Sequence, residues 1–144
     1  MEDSRRLDLA ALLLRSALGV MFIAHALLKY LVFTPAGTVQ FFESIGLPGP
    51  LAYVTIAVEF VGGLMLIFGV YTRAVAFALL PVLLGAAWAH SGNGWLFTSP
   101  KGGWEYPVFL AVAGIVVGLL GGGRFALGAQ AQSRRTGFRL QRAD

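Results

Sequence analysis

The sequence predicts an all-α integral membrane protein: a four-helix bundle with both termini cytoplasmic and a short interfacial helix in its first outer loop. Three observations carry this expectation. Hydrophobic residues make up 57% of the 144-residue chain and charged residues 12%, with a mean hydropathy of +0.74, whereas soluble domains are about 25% charged. The apolar residues gather into four runs of roughly span length, and a helix needs about 20 such residues to cross a hydrocarbon core of about 30 Å. The basic residues fall on one side when those runs are threaded through a bilayer. Residues 1–128 therefore read as one four-span domain with little room for a soluble catalytic unit, and residues 129–144 as a basic, mobile tail.

The first span is expected over about residues 9–32, with Arg15, His25 and Lys29 embedded in it. At about 100° per residue, Arg15 and Lys29 fall within about 40° of each other and His25 within about 80° of both, so one face is polar. Thr34-Pro35 is a helix start, with Thr as N-cap and Pro at the first helical position, and Gly46-Leu47-Pro48-Gly49-Pro50 is a stop. Between them, Val39, Phe41, Phe42 and Ile45 give a short helix one apolar side, suited to a membrane surface. The second span, 51–70, is almost uninterruptedly apolar and carries one carboxylate, Glu59, near its middle. A tight hairpin at Gly69-Val70-Tyr71-Thr72-Arg73 makes the third span, 72–90, its antiparallel neighbour. Pro81 lies inside that third span, where a kink is expected. A turn-rich loop with Trp95 and Phe97 leads to the fourth span, 104–120.

With the N-terminus inside, Arg5, Arg6, Arg73, Arg124, Arg134, Arg135, Arg139 and Arg142 are cytoplasmic, while Lys101 is in an outer loop and Lys29 near the outer boundary. Trp88, Trp95, Trp104 and Tyr106 then form an outer aromatic belt. The pI near 10 is explained by this topology, with the bilayer as partner and no role for nucleic acid. The chain contains no cysteine, which excludes disulfides, thiolate nucleophiles and thiolate-bound metal centres.

A charged group near the middle of a bilayer costs from about 2.5 to more than 10 kcal/mol unless it neutralises or finds a partner. Glu59 is therefore the first candidate for function. At about 1.5 Å per residue, His25 and Glu59 lie about 10–12 Å below the outer surface, with Lys29, His90 and Glu105 nearer to it. Lipid offers these groups no partner, so they are expected to face one another or a wet cavity. The predicted site is a pocket open to the outer face, with Glu59 at its floor, His25 and Lys29 on one wall, and His90 and Glu105 at the mouth. All five are candidate ligand-binding residues. Glu59, His25 and Glu105 are the candidate proton-transfer groups. Arg15 lies deeper and reaches either toward Glu59 or toward cytoplasmic headgroups; with Arg73 it is assigned a structural charge. The competing reading is that the buried charges only fix helix register, and His90 beside Trp88 also suits an interfacial residue. No H-x-x-x-H spacing is present, and no metal site is expected. Gly62-Gly63, and the GxxxG match at Gly114 and Gly118, read as close packing within the bundle ahead of a dimer face.

Arg15, the His25-x-x-x-Lys29 step, Gly46-Leu47-Pro48, Glu59 followed by Gly62-Gly63, Gly69-x-x-Thr72-Arg73 and Glu105-Tyr106-Pro107 occur in order along the chain. Over about residues 13–127 this pattern resembles the DoxX family of small four-span membrane proteins. Two positions depart from it: Ala26 follows His25 where the family usually has Gly, and Ala126-Leu127-Gly128 stands where a Ser-Leu-Asp ending is usual. The second departure removes a carboxylate from the cytoplasmic end. The resemblance implies a multi-pass protein of a bacterial-type inner membrane. Family members carry oxidoreductase labels through their relation to membrane subunits of thiosulfate:quinone oxidoreductase, and more distant relatives act in assembly or cargo handling. The expected function is thus a redox-associated subunit that binds a quinone or another amphiphile, with Lys29, His25 and His90 donating hydrogen bonds to a carbonyl. Nothing in the chain supplies electrons, so a cofactor or redox-protein partner must. A non-catalytic scaffold or assembly protein, a transporter component and a homo-oligomer are the alternatives that the residues leave open.

Overall fold

The computed structural model describes residues 2–128; the basic tail expected over 129–144 lies outside the described residues. Five α-helices account for most of that length: α1 (Glu2–Leu27), α2 (Pro35–Ser44), α3 (Leu51–Phe68), α4 (Thr72–His90) and α5 (Glu105–Leu120). No strand occurs among the described residues. α1 begins seven residues before the expected span and continues as a π-helical turn, Leu28–Val32, closed by the Phe33 amide donating to the Leu28 carbonyl at 3.0 Å. The wider turn carries Lys29.

The local signals act as the sequence predicts. The Thr34 hydroxyl accepts from the Gly37 amide at 3.2 Å and Pro35 opens α2. α3 stops at Gly69, whose left-handed φ of 72° lets the Gly69 amide reach the Leu66 carbonyl and the Val70 amide the Met65 carbonyl, a Schellman arrangement. Tyr71 is also left-handed, and α4 starts at the next residue, so the hairpin is as tight as expected. α4 runs unbroken through Pro81.

α1 packs along α3, α4 along α5, α3 against α4 and α1 against α5, while α2 rests on α3 and on the π turn. Leu18 and Phe22 of α1, Leu66 of α3, Leu79 of α4, and Ala111 and Val117 of α5 meet in a common core. The α1–α3 contact is backbone to backbone. A Cβ at Gly19 would lie 2.6 Å from the Gly63 carbonyl oxygen, and one at Gly63 would lie 2.7 Å from that of Gly19. The GxxxG pair of α5 is filled within the chain: a Cβ at Gly118 would meet the Phe77 ring at 2.7 Å, and one at Gly114 the Leu80 side chain at 3.3 Å.

The outward surface is apolar. Leu13, Leu31, Phe109 and Leu119 are each about two-thirds exposed or more, at 70%, 68%, 67% and 69%, which suits lipid rather than water. Three helical segments, Glu2–Val32, Leu51–Phe68 and Thr72–Asn93, are long and apolar enough to cross a membrane; Glu105–Leu120 is apolar but shorter.

Gly63→Leu should separate α1 from α3. Overpacking of a close contact costs typically about 1–3 kcal/mol, so a lowered unfolding midpoint is expected in detergent, measured by circular dichroism. Gly85→Leu is the control, because that position has open space around it.

Candidate functional site

Arg15, 1% exposed, takes neither of the directions expected for it. Its guanidinium turns to the end of α3 and donates to the Leu66 carbonyl at 2.7 Å and to the Ile67 carbonyl. Its other nitrogens donate to Gly122 and Phe125 carbonyls, each at 3.3 Å. The last carbonyls of a helix have no intrahelical donor and carry its negative dipole end, so the five-donor fork of an arginine joins them to the chain beyond α5. Ala126 completes this junction, 2% exposed and packed so closely on Gly69 that a Cβ there would lie 2.5 Å from its own. Asp8 accepts from the Arg124 amide at 3.0 Å. The junction of α1, α3 and the chain beyond α5 is therefore held by Arg15, Asp8 and Ala126, with Ala126-Leu127-Gly128 in place of a Ser-Leu-Asp ending. Arg73 is exposed and lies over Gly121.

Lys29 and Glu59 pair with each other. Lys29 Nζ donates to both carboxylate oxygens, at 2.9 and 2.8 Å, and the two side chains are 20% and 6% exposed. The π turn that carries Lys29 is tied to α2 by the Thr38 hydroxyl, 3.1 Å from the Lys29 carbonyl and 2.9 Å from that of Thr34. His25 Nδ1 bonds the Met21 carbonyl at 2.8 Å, one turn back on α1.

His25 and His90 share a cavity of about 360 Å³. α1 gives it Met21, Phe22 and His25; α4 gives Leu83, Ala86 and His90; α5 gives Tyr106, Pro107 and Leu110. The loop after α4 covers it with Phe97, Gly102 and Gly103. The Tyr106 ring stacks on His25 with centroids 5.9 Å apart and an interplanar angle of 26°. His90 Nδ1 faces the Gly102 carbonyl at 3.2 Å. Lys29, Glu59 and Glu105 are not among the residues lining this cavity. Glu105 instead accepts from the Phe97 amide at 2.7 Å, and Trp95 meets Trp104 edge to face at 4.4 Å, so both contacts fold the covering loop back onto the start of α5. No group of three metal-ligating side chains occurs among the described residues.

The five residues expected in one pocket are thus divided: an ion pair between α1 and α3, two imidazoles in an apolar cavity, and a carboxylate holding a loop. The sequence does not single out Tyr106 as a site residue, nor Asn93, whose side-chain amide donates to the Gly102 carbonyl at 2.9 Å beside His90. Tyr106 read only as a belt aromatic, and its place within the Glu-Tyr-Pro step beside Glu105 was the available signal. Nothing local distinguished Asn93.

Membrane-length apolar helices around a small cavity of imidazole and phenol define a helical membrane protein with a candidate small-molecule site. Residues 10–92 match the DoxX family, and the chain belongs to that family. It is 41% identical over 83 residues to "Putative oxidoreductase CatD" of Bacillus subtilis, covering 58% of this chain and 60% of the relative. It is 36% identical over 69 residues to "Inner membrane protein YqjF" of Escherichia coli, covering 48% and 52%. The chain thus spans between half and two-thirds of the length of the curated relatives it matches. No solved structure matches it. Arg15, His25, Lys29, Glu59 and His90 fall inside the family match, and Glu105 and Tyr106 outside it.

Two outcomes are expected of the charged groups. Glu59→Gln leaves the Lys29 ammonium without a counter-charge and should destabilise the protein by about 3 kcal/mol, whereas the double change Lys29→Met with Glu59→Leu should recover most of that loss; chemical unfolding in detergent measures both. Arg15→Lys retains the charge but not the fork, and should lower stability by about 1–3 kcal/mol. Hydrogen exchange in that variant should rise over residues 121–128 before it rises elsewhere.

Proposed function

We propose that this DoxX-family protein is a redox-associated subunit of a bacterial-type inner membrane, which binds a quinone or a similar amphiphile in the cavity between α1, α4, α5 and the covering loop. α5 serves as the fourth span of a four-helix bundle, both termini lie in the cytoplasm, and α2 rests at the outer interface. The distribution of Lys and Arg supports this orientation. It places His90 and the covering loop on the outer side, where an amphiphile can enter from the lipid.

The observation that carries the reading is the convergence of two imidazoles and a phenol on one apolar cavity. Its volume, about 360 Å³, lies within the range of small-molecule sites, about 300–1,000 Å³. Apolar walls from Phe22, Leu83 and Leu110 suit a ring and its substituents, and the imidazole nitrogens supply the few polar groups that would orient it. A bound quinone would supply the electron-carrying chemistry, with a redox partner as electron source or sink. Lys29 and Glu59 fix the wall that carries His25, and Glu105 fixes the loop. A second reading, a scaffold without chemistry, draws support from the mutual satisfaction of Lys29 and Glu59, which leaves that pair no need of a ligand.

The test is direct. Protein purified in mild detergent is extracted for bound lipids and titrated with a short-chain quinone. Saturable binding is expected, and Ala86→Phe, which fills the cavity, should weaken it at least roughly tenfold with the helical spectrum unchanged. An absence of bound quinone in both measurements would leave the scaffold reading in its place.

A further inference from the structure

The protons on the two cavity histidines are positioned by their backbone neighbours. A carbonyl oxygen only accepts, so His25 Nδ1, at 2.8 Å from the Met21 carbonyl, is the protonated nitrogen of the neutral ring, and Nε2 keeps its lone pair. At His90, Nδ1 lies 3.2 Å from the Gly102 carbonyl and 3.3 Å from the Asn93 side-chain nitrogen. That amide has two hydrogens, and carbonyls are in place for both: Gly102 at 2.9 Å and Lys101 at 3.3 Å. With the amide hydrogens so used, His90 Nδ1 is the donor to Gly102. Both neutral imidazoles therefore hold the same tautomer, with Nε2 a bare acceptor that has no hydrogen-bond partner among the described residues.

The donors expected to meet a ligand carbonyl are thus all withdrawn. Lys29 is spent on Glu59, and each histidine N–H is spent on the backbone. Among the side chains lining the cavity only the Tyr106 hydroxyl remains as a donor. An oxidised quinone presents carbonyl acceptors to nitrogens that also accept. The reduced, dihydroxy form presents O–H donors to them.

We propose that the cavity is selective for the reduced, hydroxyl-bearing member of a quinone–quinol pair, because His25 and His90 both offer it acceptor nitrogens. This rests on the assignment of the cavity as an amphiphile site. His25 and His90 determine the preference between redox forms, and Asn93 and the Gly102 carbonyl are positioning groups that set the His90 tautomer. The same rule admits other flat apolar molecules that carry hydroxyl donors and disfavours those that carry only carbonyls.

The experiment compares duroquinol and duroquinone, which share one carbon skeleton, on the full-length protein in phosphatidylethanolamine–phosphatidylglycerol nanodiscs at pH 8 under anaerobic conditions. The quinol is expected to bind roughly tenfold tighter or more, since each neutral hydrogen bond gained contributes a few-fold to affinity. His25→Phe and His90→Phe should each lower the quinol-to-quinone affinity ratio several-fold. The wild-type comparison alone is decisive if a variant fails to fold. Equal affinity, or tighter quinone binding, overturns the preference and leaves the amphiphile site standing. A quinol preference that survives both substitutions overturns the role of the imidazoles. Binding of neither form removes the site and the preference together.

Discussion

Helices α1 and α3 touch backbone to backbone at Gly19 and Gly63, and the charged interior depends on that contact. No side chain can be inserted there without moving a carbonyl. The antiparallel register that follows brings Arg15 to the end of α3 on one side of the crossing and Lys29 to Glu59 on the other. Within lipid neither cation has water to fall back on. Each is held by oxygen atoms of α3, one set from the backbone and one from a carboxylate. The seam is therefore fixed at its middle by the absence of side chains and at both ends by charge.

The second helix pair uses different means. α4 and α5 pack through Phe77 over Gly118 and Leu80 beside Gly114, with apolar contact in place of ion pairing. Between this pair and α1, the cavity opens toward the loop that Glu105 and the Trp95–Trp104 contact fold inward. The two histidines face it from different helices, each bonded to a carbonyl. The charged seam and the cavity thus adjoin through α1, where one turn separates His25 from Lys29. A change in the ion pair reaches the cavity by shifting α1 rather than by touching a ligand.

Much was legible in the residues alone. The Thr34-Pro35 start, the Gly69 stop and the hairpin at 69–73 follow from local chemistry and occur in the structure where they are expected. Gly62-Gly63 announced a close approach, although its partner, Gly19, gave no sign within an apolar run. The membrane-buried carboxylate and the basic groups around it stood out for the same reason: an ionised side chain in lipid needs a partner. Their sharing of one helix face or one depth, however, does not choose between partners. Lys29 took Glu59 because the π turn and Thr38 hold it above that carboxylate, a rotation that a regular helical period does not contain. Arg15 was too far along α1 to reach the same acid and met unsatisfied helix-end carbonyls first.

The sequence by itself determined an all-helical membrane protein of the DoxX family and the set of polar residues its interior had to accommodate, because length, hydropathy and capping are local properties. The tertiary structure alone decided how that set divides into an ion pair, an arginine lock and a histidine cavity. It also decided which carbonyls the imidazole nitrogens face, since only packing and loop closure bring them within hydrogen-bond distance.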